Sequence, residues 1–250
     1  MATIHLLGTG AALSDAHRTT TMLAFEANGE VLLVDCGGDV VQRLLAHGIE
    51  LEALRALIVT HEHADHVSGF PLLMERLWLA GRREPLQVIG IAPAIAQARR
   101  SHDAFDTSSW PDYPGAEYVE VEHAPGAMVY EQGPWRVLGT PGVHSVPCIG
   151  LRVEHRDGSG VVAYSGDTAF TESMVELARG ADLLVHEAGE DDAMHTLPHE
   201  AARVAALAGV RRLVLVHLPP SLTKDEARLE RARAVFPSVI LGEDGATFEV

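Results

Sequence analysis

The sequence predicts an α/β fold in a single domain, on three observations. Between residues 172 and 216, segments of helical period alternate with strand-like apolar runs, the pattern of a sheet covered by helices. A chain of 250 residues with 47% hydrophobic content can bury about three quarters of the surface it exposes when unfolded, enough for a sizeable core without a second domain. No repeat, linker or low-complexity tract divides it.

Residues 3–7 form a strand that stops at Gly8-Thr9-Gly10, where glycine lets the backbone turn sharply. A loop runs to Thr21. Residues 22–26 and 31–34 read as a hairpin about Asn28-Gly29, a strong turn pair, and Asp35 ends its second strand. Val40, Val41, Leu44 and Leu45 recur at helical spacing within 39–47, and Gly48 supplies the stop. A strand reaches Val59 and a polar loop follows. Phe70, Leu73 and Leu77 suggest a helix over 67–79, with Pro71 tolerable only in its first turn. Residues 86–89 are a strand, and Pro93 opens a helix that ends near His102.

Residues 103–115 have no period but carry Phe105, Trp110 and Tyr113 among Asp, Ser and Pro. Such a surface loop either overhangs a site or lays its aromatics over an edge of the core. Strands are expected at 118–121, 135–138, 149–153 and 161–165, the last two joined by an Asp157-Gly158 turn. Helix 172–177, strand 183–185, helix 198–207 and strand 213–216 make up the alternation, followed by helix 225–234 and two short strands.

Directly after the apolar run Ala56-Leu57-Ile58-Val59 stands His61-Glu62-His63-Ala64-Asp65-His66. Three imidazoles and a carboxylate so close together are too dense for a core or an ordinary helix face, because each is a hydrated group that needs a partner when buried. A metal ion is such a partner. His61 and His63, two apart at a strand end, leave the same face and can hold one ion together, while Asp65 and His66 turn toward a second. Neutral imidazole with carboxylate suits zinc best, with manganese and iron as alternatives. His144, Asp167 and His217 each lie where a strand-like run meets a loop, where sheets present functional groups.

The hexad resembles the HxHxDH signature of the metallo-β-lactamase superfamily, with Asp35-Cys36-Gly37 upstream and His144, Asp167 and His217 downstream in the expected order, over nearly the whole chain. The resemblance implies an αββα sandwich with His61, His63 and His144 on one metal, Asp65, His66 and His217 on the other, and Asp167 bridging. It also implies that Asp35 orients a metal-bound histidine; the alternative is a carboxylate capping the next helix. Two ions roughly 3.5–4 Å apart would lower the pKa of a shared water and make it a nucleophile, and would stabilise either a displaced phosphate or a tetrahedral carbonyl adduct.

His186-Glu187-Ala188-Gly189 and His195 resemble the HEAT loop and catalytic histidine of ribonuclease Z, the tRNA 3′-processing endonuclease, where a histidine stands five residues before a Glu-Ala pair, here Glu200-Ala201. By that resemblance His195, oriented by Glu187, protonates the leaving alkoxide of a phosphodiester, which departs poorly near neutrality. With Asp65, counted also as a ligand, these two make the candidate catalytic set. His199 has no counterpart and is expected to be exposed. Three departures stand out. Gly189 replaces the threonine of the HEAT pattern, and Ser14-Asp15-Ala16-His17-Arg18-Thr19 keeps only the arginine of the PxKxRN motif. Only 22 residues separate His144 from Asp167, where the tRNA enzymes carry a long inserted arm.

A net charge of −16 repels polyanions and argues against a grip on long nucleic acid, although two divalent ions would reverse the field locally for a small anion. Arg82-Arg83, Arg99-Arg100 and Arg211-Arg212 are isolated pairs, not a track. Cys36 and Cys148 form no CxxC pair and read as small core residues. No run approaches the ~18 apolar residues of a membrane span, and Met1-Ala2-Thr3-Ile4-His5 lacks the regions of a signal peptide, so a soluble, cytoplasmic chain without a membrane partner is expected. A homodimer is left open. The expected activity is that of a dinuclear metal-dependent hydrolase, foremost a phosphodiesterase for a small substrate such as a cyclic nucleotide or cyclic sugar phosphate. A lactonase or thioesterase is the alternative, and a non-catalytic metal-binding module the second. Diiron oxidoreductases of the superfamily fit less well, since they place a carboxylate where His63 stands.

Overall fold

The computed structural model describes residues 2–13, 15–190 and 193–250. Among them the strands form two seven-stranded mixed sheets. The first runs β14 (Thr247–Glu249), β1 (Thr3–Gly8), β2 (Met22–Ala27), β3 (Glu30–Val34), β4 (Leu54–Val59), β5 (Leu86–Ile91), β6 (Ala116–Val121). The second runs β13 (Val239–Leu241), β12 (Arg212–Val216), β11 (Leu183–Glu187), β10 (Val161–Tyr164), β9 (Ile149–His155), β8 (Trp135–Pro141), β7 (Ala127–Gln132). Each sheet is part antiparallel and part parallel: β3 through β6 are parallel in one, and β10 through β13 in the other.

Period-two alternation sorts the faces of the second sheet. Val162, Tyr164, Leu183, Val185, Val214 and Val216 join the core shared with the first sheet and with helices α1 (Val40–Ala46), α3 (Phe70–Leu79) and α4 (Ala92–Asp103). Ala163, Leu184, Leu213 and Leu215, on the other face, pack with Met174 of α5 (Glu172–Ala178), Ala201 of α6 (Pro198–Ala208) and Leu229 of α7 (Glu226–Val235). Sheet lies on sheet with helices outside, the αββα sandwich that the family resemblance implied. Among the described residues no helix is long and apolar enough to cross a membrane.

Most expected elements are found within a few residues; three expectations are corrected and one open alternative is resolved. The helix expected at 67–79 is two: a short α2 (Ala64–Val67), which carries Asp65 and His66, then α3 with Pro71 in its first turn. The break is at Gly69, where a side chain would meet the carbonyl oxygens of Gly38 at 2.2 Å and Cys36 at 2.5 Å. Strand β7 was not expected; its register shifts between Met128 and Tyr130, which erases the alternation a strand would show. The 103–115 loop takes the second of its two readings, for Trp110 stacks on Trp78 of α3 with centroids 4.6 Å apart, and the Tyr113 hydroxyl lies 2.5 Å from His102 Nε2 on α4. Finally, His199 is half-buried in the first turn of α6 rather than exposed. Cys36 and Cys148 are buried and free, as expected.

Candidate metal centre

Parallel strands leave a crevice at their carboxyl ends, and five such ends supply this site. Asp35 follows β3, His61 follows β4, Asp167 follows β10, Glu187 ends β11 and His217 follows β12. Asp65 and His66 come from α2, and His144 from the loop after β8. Asp35 (φ 60°) and His217 (φ 54°) sit in the left-handed region, a conformation that costs a non-glycine residue roughly 1–3 kcal/mol and persists only where surroundings hold it. Here the Asp35 amide donates to Ile58 O at 2.9 Å, and the His217 amide to Thr21 Oγ1 at 3.1 Å.

The side chains converge as two groups: His61, His63, His144 and Asp167, and Asp65, His66, Asp167 and His217, the donor atoms of each lying within 4.8 Å of one another. His63 Nδ1 is 3.1 Å from both His61 Nε2 and His144 Nε2. Asp167 Oδ2 is 3.3 Å from His66 Nε2 and from His217 Nε2, 3.7 Å from His61 Nε2 and 4.0 Å from His144 Nε2. Donors that share a tetrahedral ion at zinc-ligand distances lie about 3.3 Å apart, so the spacing suits a metal. A second observation agrees. His66 Nε2 and Asp167 Oδ1 are buried with no hydrogen-bond partner, a costly state that a cation among them would relieve.

Electrostatics follow the same geometry. Burial holds the His61 pKa well below its ordinary value and lowers that of His217 to about 4. Burial opposes charge on His66 too, but the carboxylates of Asp167 and Asp35 outweigh it and raise its pKa well above the usual range. Burial likewise opposes charge on Asp167, yet His217, His66 and His61 pull its pKa well below that of an ordinary carboxyl. The centre thus presents an ionised carboxylate ringed by imidazoles.

Asp35 is fully buried and spends its oxygens on two neighbours. Thr60 donates its amide at 2.9 Å and its hydroxyl at 2.9 and 3.1 Å, and His66 Nδ1 lies 2.8 Å away. A donated Nδ1–H turns His66 Nε2 toward the cluster and fixes its tautomer. The helix cap is instead Asp39, whose carboxylate accepts from the Gln42 amide at 3.1 Å. Asp35→Asn should therefore weaken metal binding by about 10- to 100-fold, read by competition with a chelator; unaltered affinity would remove this role. Thr60 escaped the sequence reading, since nothing but its place before His61 marks it.

Glu187 is buried, and its carboxylate accepts from the Thr168 amide at 2.7 Å, the Gly189 amide at 3.1 Å and His195 Nδ1 at 3.0 and 3.1 Å. Burial pushes its pKa up to about 7 against the pull of the His195 hydrogen bond. The His195 ring stacks on His217 at 5.3 Å and meets the edge of His144 at 4.9 Å. Gly189 acquires a physical reason as well. A methyl there would sit 2.7 Å from His195 Cβ and 2.9 Å from its Cγ, so the threonine of the HEAT pattern would require His195 or the turn that carries it to shift. Of the altered PxKxRN loop, Arg18 donates to Gly242 O at 3.0 Å, while Ser14 lies outside the described residues.

A family model described as a β-lactamase superfamily domain matches residues 31–218. The chain is 35% identical to the Ribonuclease Z of Mycobacterium sp. (strain KMS), over 100% of this chain and 96% of that one. It is 31% identical to the Ribonuclease Z of Methanothermobacter thermautotrophicus, over 100% and 97%. That alignment spans 305 residues against the 250 of this chain, so the relative carries residues with no counterpart here. Among solved structures, the metallo-β-lactamase fold protein YhfI from Bacillus subtilis superposes with a TM-score of 0.84 at 25% identity, over 100% of both chains.

Proposed function

This chain belongs to the β-lactamase superfamily, as a metal-dependent hydrolase of its ribonuclease Z-like branch, and from that premise we propose that it hydrolyses small phosphodiesters at a centre of two divalent ions, zinc foremost. His61, His63 and His144 would hold one ion, Asp65, His66 and His217 the other, and Asp167 both. Bound there, such ions supply Lewis acidity, activation of water and stabilisation of charge on phosphoryl oxygens.

The observation that carries the reading is the Glu187–His195 pair beside the cluster. Glu187 accepts the Nδ1–H of His195 and stabilises the ring when it is protonated, so that Nε2 is the nitrogen that gives its proton to the departing oxygen. An alkyl phosphodiester needs that proton, because alkoxide leaves poorly near neutrality. A thioester does not, since thiolate leaves unaided. The backbone amides of Thr168 and Gly189 anchor the Glu187 carboxylate, so its orientation owes nothing to substrate.

A small substrate is favoured over RNA, on which the relatives act by their name, for three reasons. The net charge is −16. The interval from His144 to Asp167 is taken up by β9, β10 and their turn. Arg18, the surviving arginine of the PxKxRN loop, is engaged with a backbone carbonyl. The test is a panel run on metal-loaded protein: bis(p-nitrophenyl) phosphate and alkyl phosphodiesters against lactones, thioesters and precursor tRNA. Phosphodiesters should turn over, and precursor tRNA should be cut weakly or not at all. Turnover of carbonyl esters alone would overturn the phosphodiesterase; accurate 3′-trailer cleavage at physiological salt would overturn the small substrate.

A further inference from the structure

A groove of about 170 Å³ opens beside His195 and His217. Its apolar lining comes from Ala11, Ala12, Leu13 and Pro219, and Leu13 is 76% exposed. This lining is held firmly, because Leu218 N donates to Thr9 O at 2.9 Å and Ala11 N to Leu218 O at 3.3 Å. Glu190 is the one carboxylate among the described residues of the groove, and no lysine or arginine lines it. The Ser221 hydroxyl donates to Glu190 Oε1 at 2.6 Å and fixes that carboxylate at the rim.

An acid that protonates a leaving oxygen must lie within hydrogen-bond reach of it, so whatever is attached to that oxygen lies on the His195 side. We infer that this groove is the leaving-group subsite, and that Glu190 determines its specificity by favouring an uncharged alcohol with hydroxyl or amine donors over one that carries a further anionic group. The inference rests on the phosphodiesterase reading and extends it from the scissile phosphate to the group released. In the reaction, water adds its oxygen to phosphorus and releases one proton to solvent, the bond from phosphorus to the leaving oxygen breaks, the His195 proton goes to that oxygen, and His195 regains a proton from solvent, giving a phosphomonoester and an alcohol. The apolar lining suits the face of a sugar or an aromatic ring, and the carboxylate accepts its donors. A second phosphate in this groove meets the like charge of Glu190 and no lysine or arginine to offset it.

The test uses two methyl aryl phosphodiesters in which the phenol leaves. One bears a 3-hydroxymethyl group and the other a 3-phosphonomethyl group, so the phenols leave with similar ease but differ in charge. The metal-loaded enzyme should prefer the hydroxymethyl ester by about tenfold or more in kcat/KM, chiefly through KM, as expected for a like charge met on binding. Glu190→Gln should narrow that ratio severalfold and Glu190→Arg should abolish or invert it. Glu190 is exposed, so neither change threatens folding. A wild-type ratio near one, or a ratio that neither variant moves, overturns the assignment; the latter would trace the preference to the net charge of the whole chain. Hydrolysis of bis(p-nitrophenyl) phosphate separates this failure from a deeper one, since an enzyme inert toward every diester overturns the phosphodiesterase reading and the subsite with it.

Discussion

Chelation should abolish turnover, zinc or manganese should restore it, and Asp167→Asn should cost on the order of 10³-fold or more even with metal supplied, the equivalent of several kcal/mol of lost charge stabilisation. Asp167 belongs to both donor groups, and its Oδ2 lies 3.3 to 4.0 Å from four imidazole nitrogens. Loss of its charge leaves those rings without the carboxylate that offsets a cation. The double substitution His61→Ala with His63→Ala discriminates further. It removes two imidazoles from one group but leaves Asp65, His66, Asp167 and His217, so metal analysis should find about half the wild-type content, whereas Asp167→Asn should weaken both positions. A proton also competes. Because Asp167 and Asp35 raise the His66 pKa well above its ordinary value despite burial, metal uptake must displace that proton, and affinity should rise with pH and fall as the solution is acidified. Full turnover in a metal-free sample would sink the mechanism, and unchanged metal content in the double variant would mean the site is elsewhere.

His195→Ala should cost around 10²–10⁴-fold on an alkyl phosphodiester, the range of general acid catalysis, and far less on a nitrophenyl ester. Nitrophenolate departs without a proton, so removal of the acid leaves that reaction nearly intact. Glu187→Gln should reproduce part of the same pattern, since the carboxylate both orients the ring through Nδ1 and stabilises its charged form. Metal content is the decisive control, because His195 stacks on His217 at 5.3 Å and is near enough to be suspected as a ligand. Lost metal would make it one. Equal losses on both esters would instead assign His195 to substrate binding or to support of the turn at Gly189. Either result would remove the main support for phosphodiesters over carbonyl esters.

What the sequence determined by itself is whatever neighbouring residues decide. Asn28 and Gly29 turn the β2–β3 hairpin because both adopt positive φ, 53° and 75°. Pro71 and Pro93 open α3 and α4 within their first turns. The hexad is dense enough in hydrated donors to announce a metal from six consecutive residues. The edge strand β7 was not legible, because its register shift breaks the one local signal a strand has. The 103–115 loop was ambiguous for a different reason: an aromatic side chain does not state its partner, and Trp78 and His102 lie in other elements.

Only the tertiary structure decided what stands beside what. His144, Asp167 and His217 could be tied to the hexad from sequence only through resemblance, because each is by itself an ordinary polar residue at a strand end. The ends of β4, β10 and β12 bring a ring nitrogen of His61 and of His217 to within 4 Å of Asp167 Oδ2. The same convergence gave Thr60 its hold on Asp35, showed Gly189 to be the space His195 occupies, and set Glu190 at the groove beside it. The metal cluster, the Asp35–Thr60 contact and the far wall of the groove connect residues distant in the chain, and sequence spacing does not encode distance across two sheets.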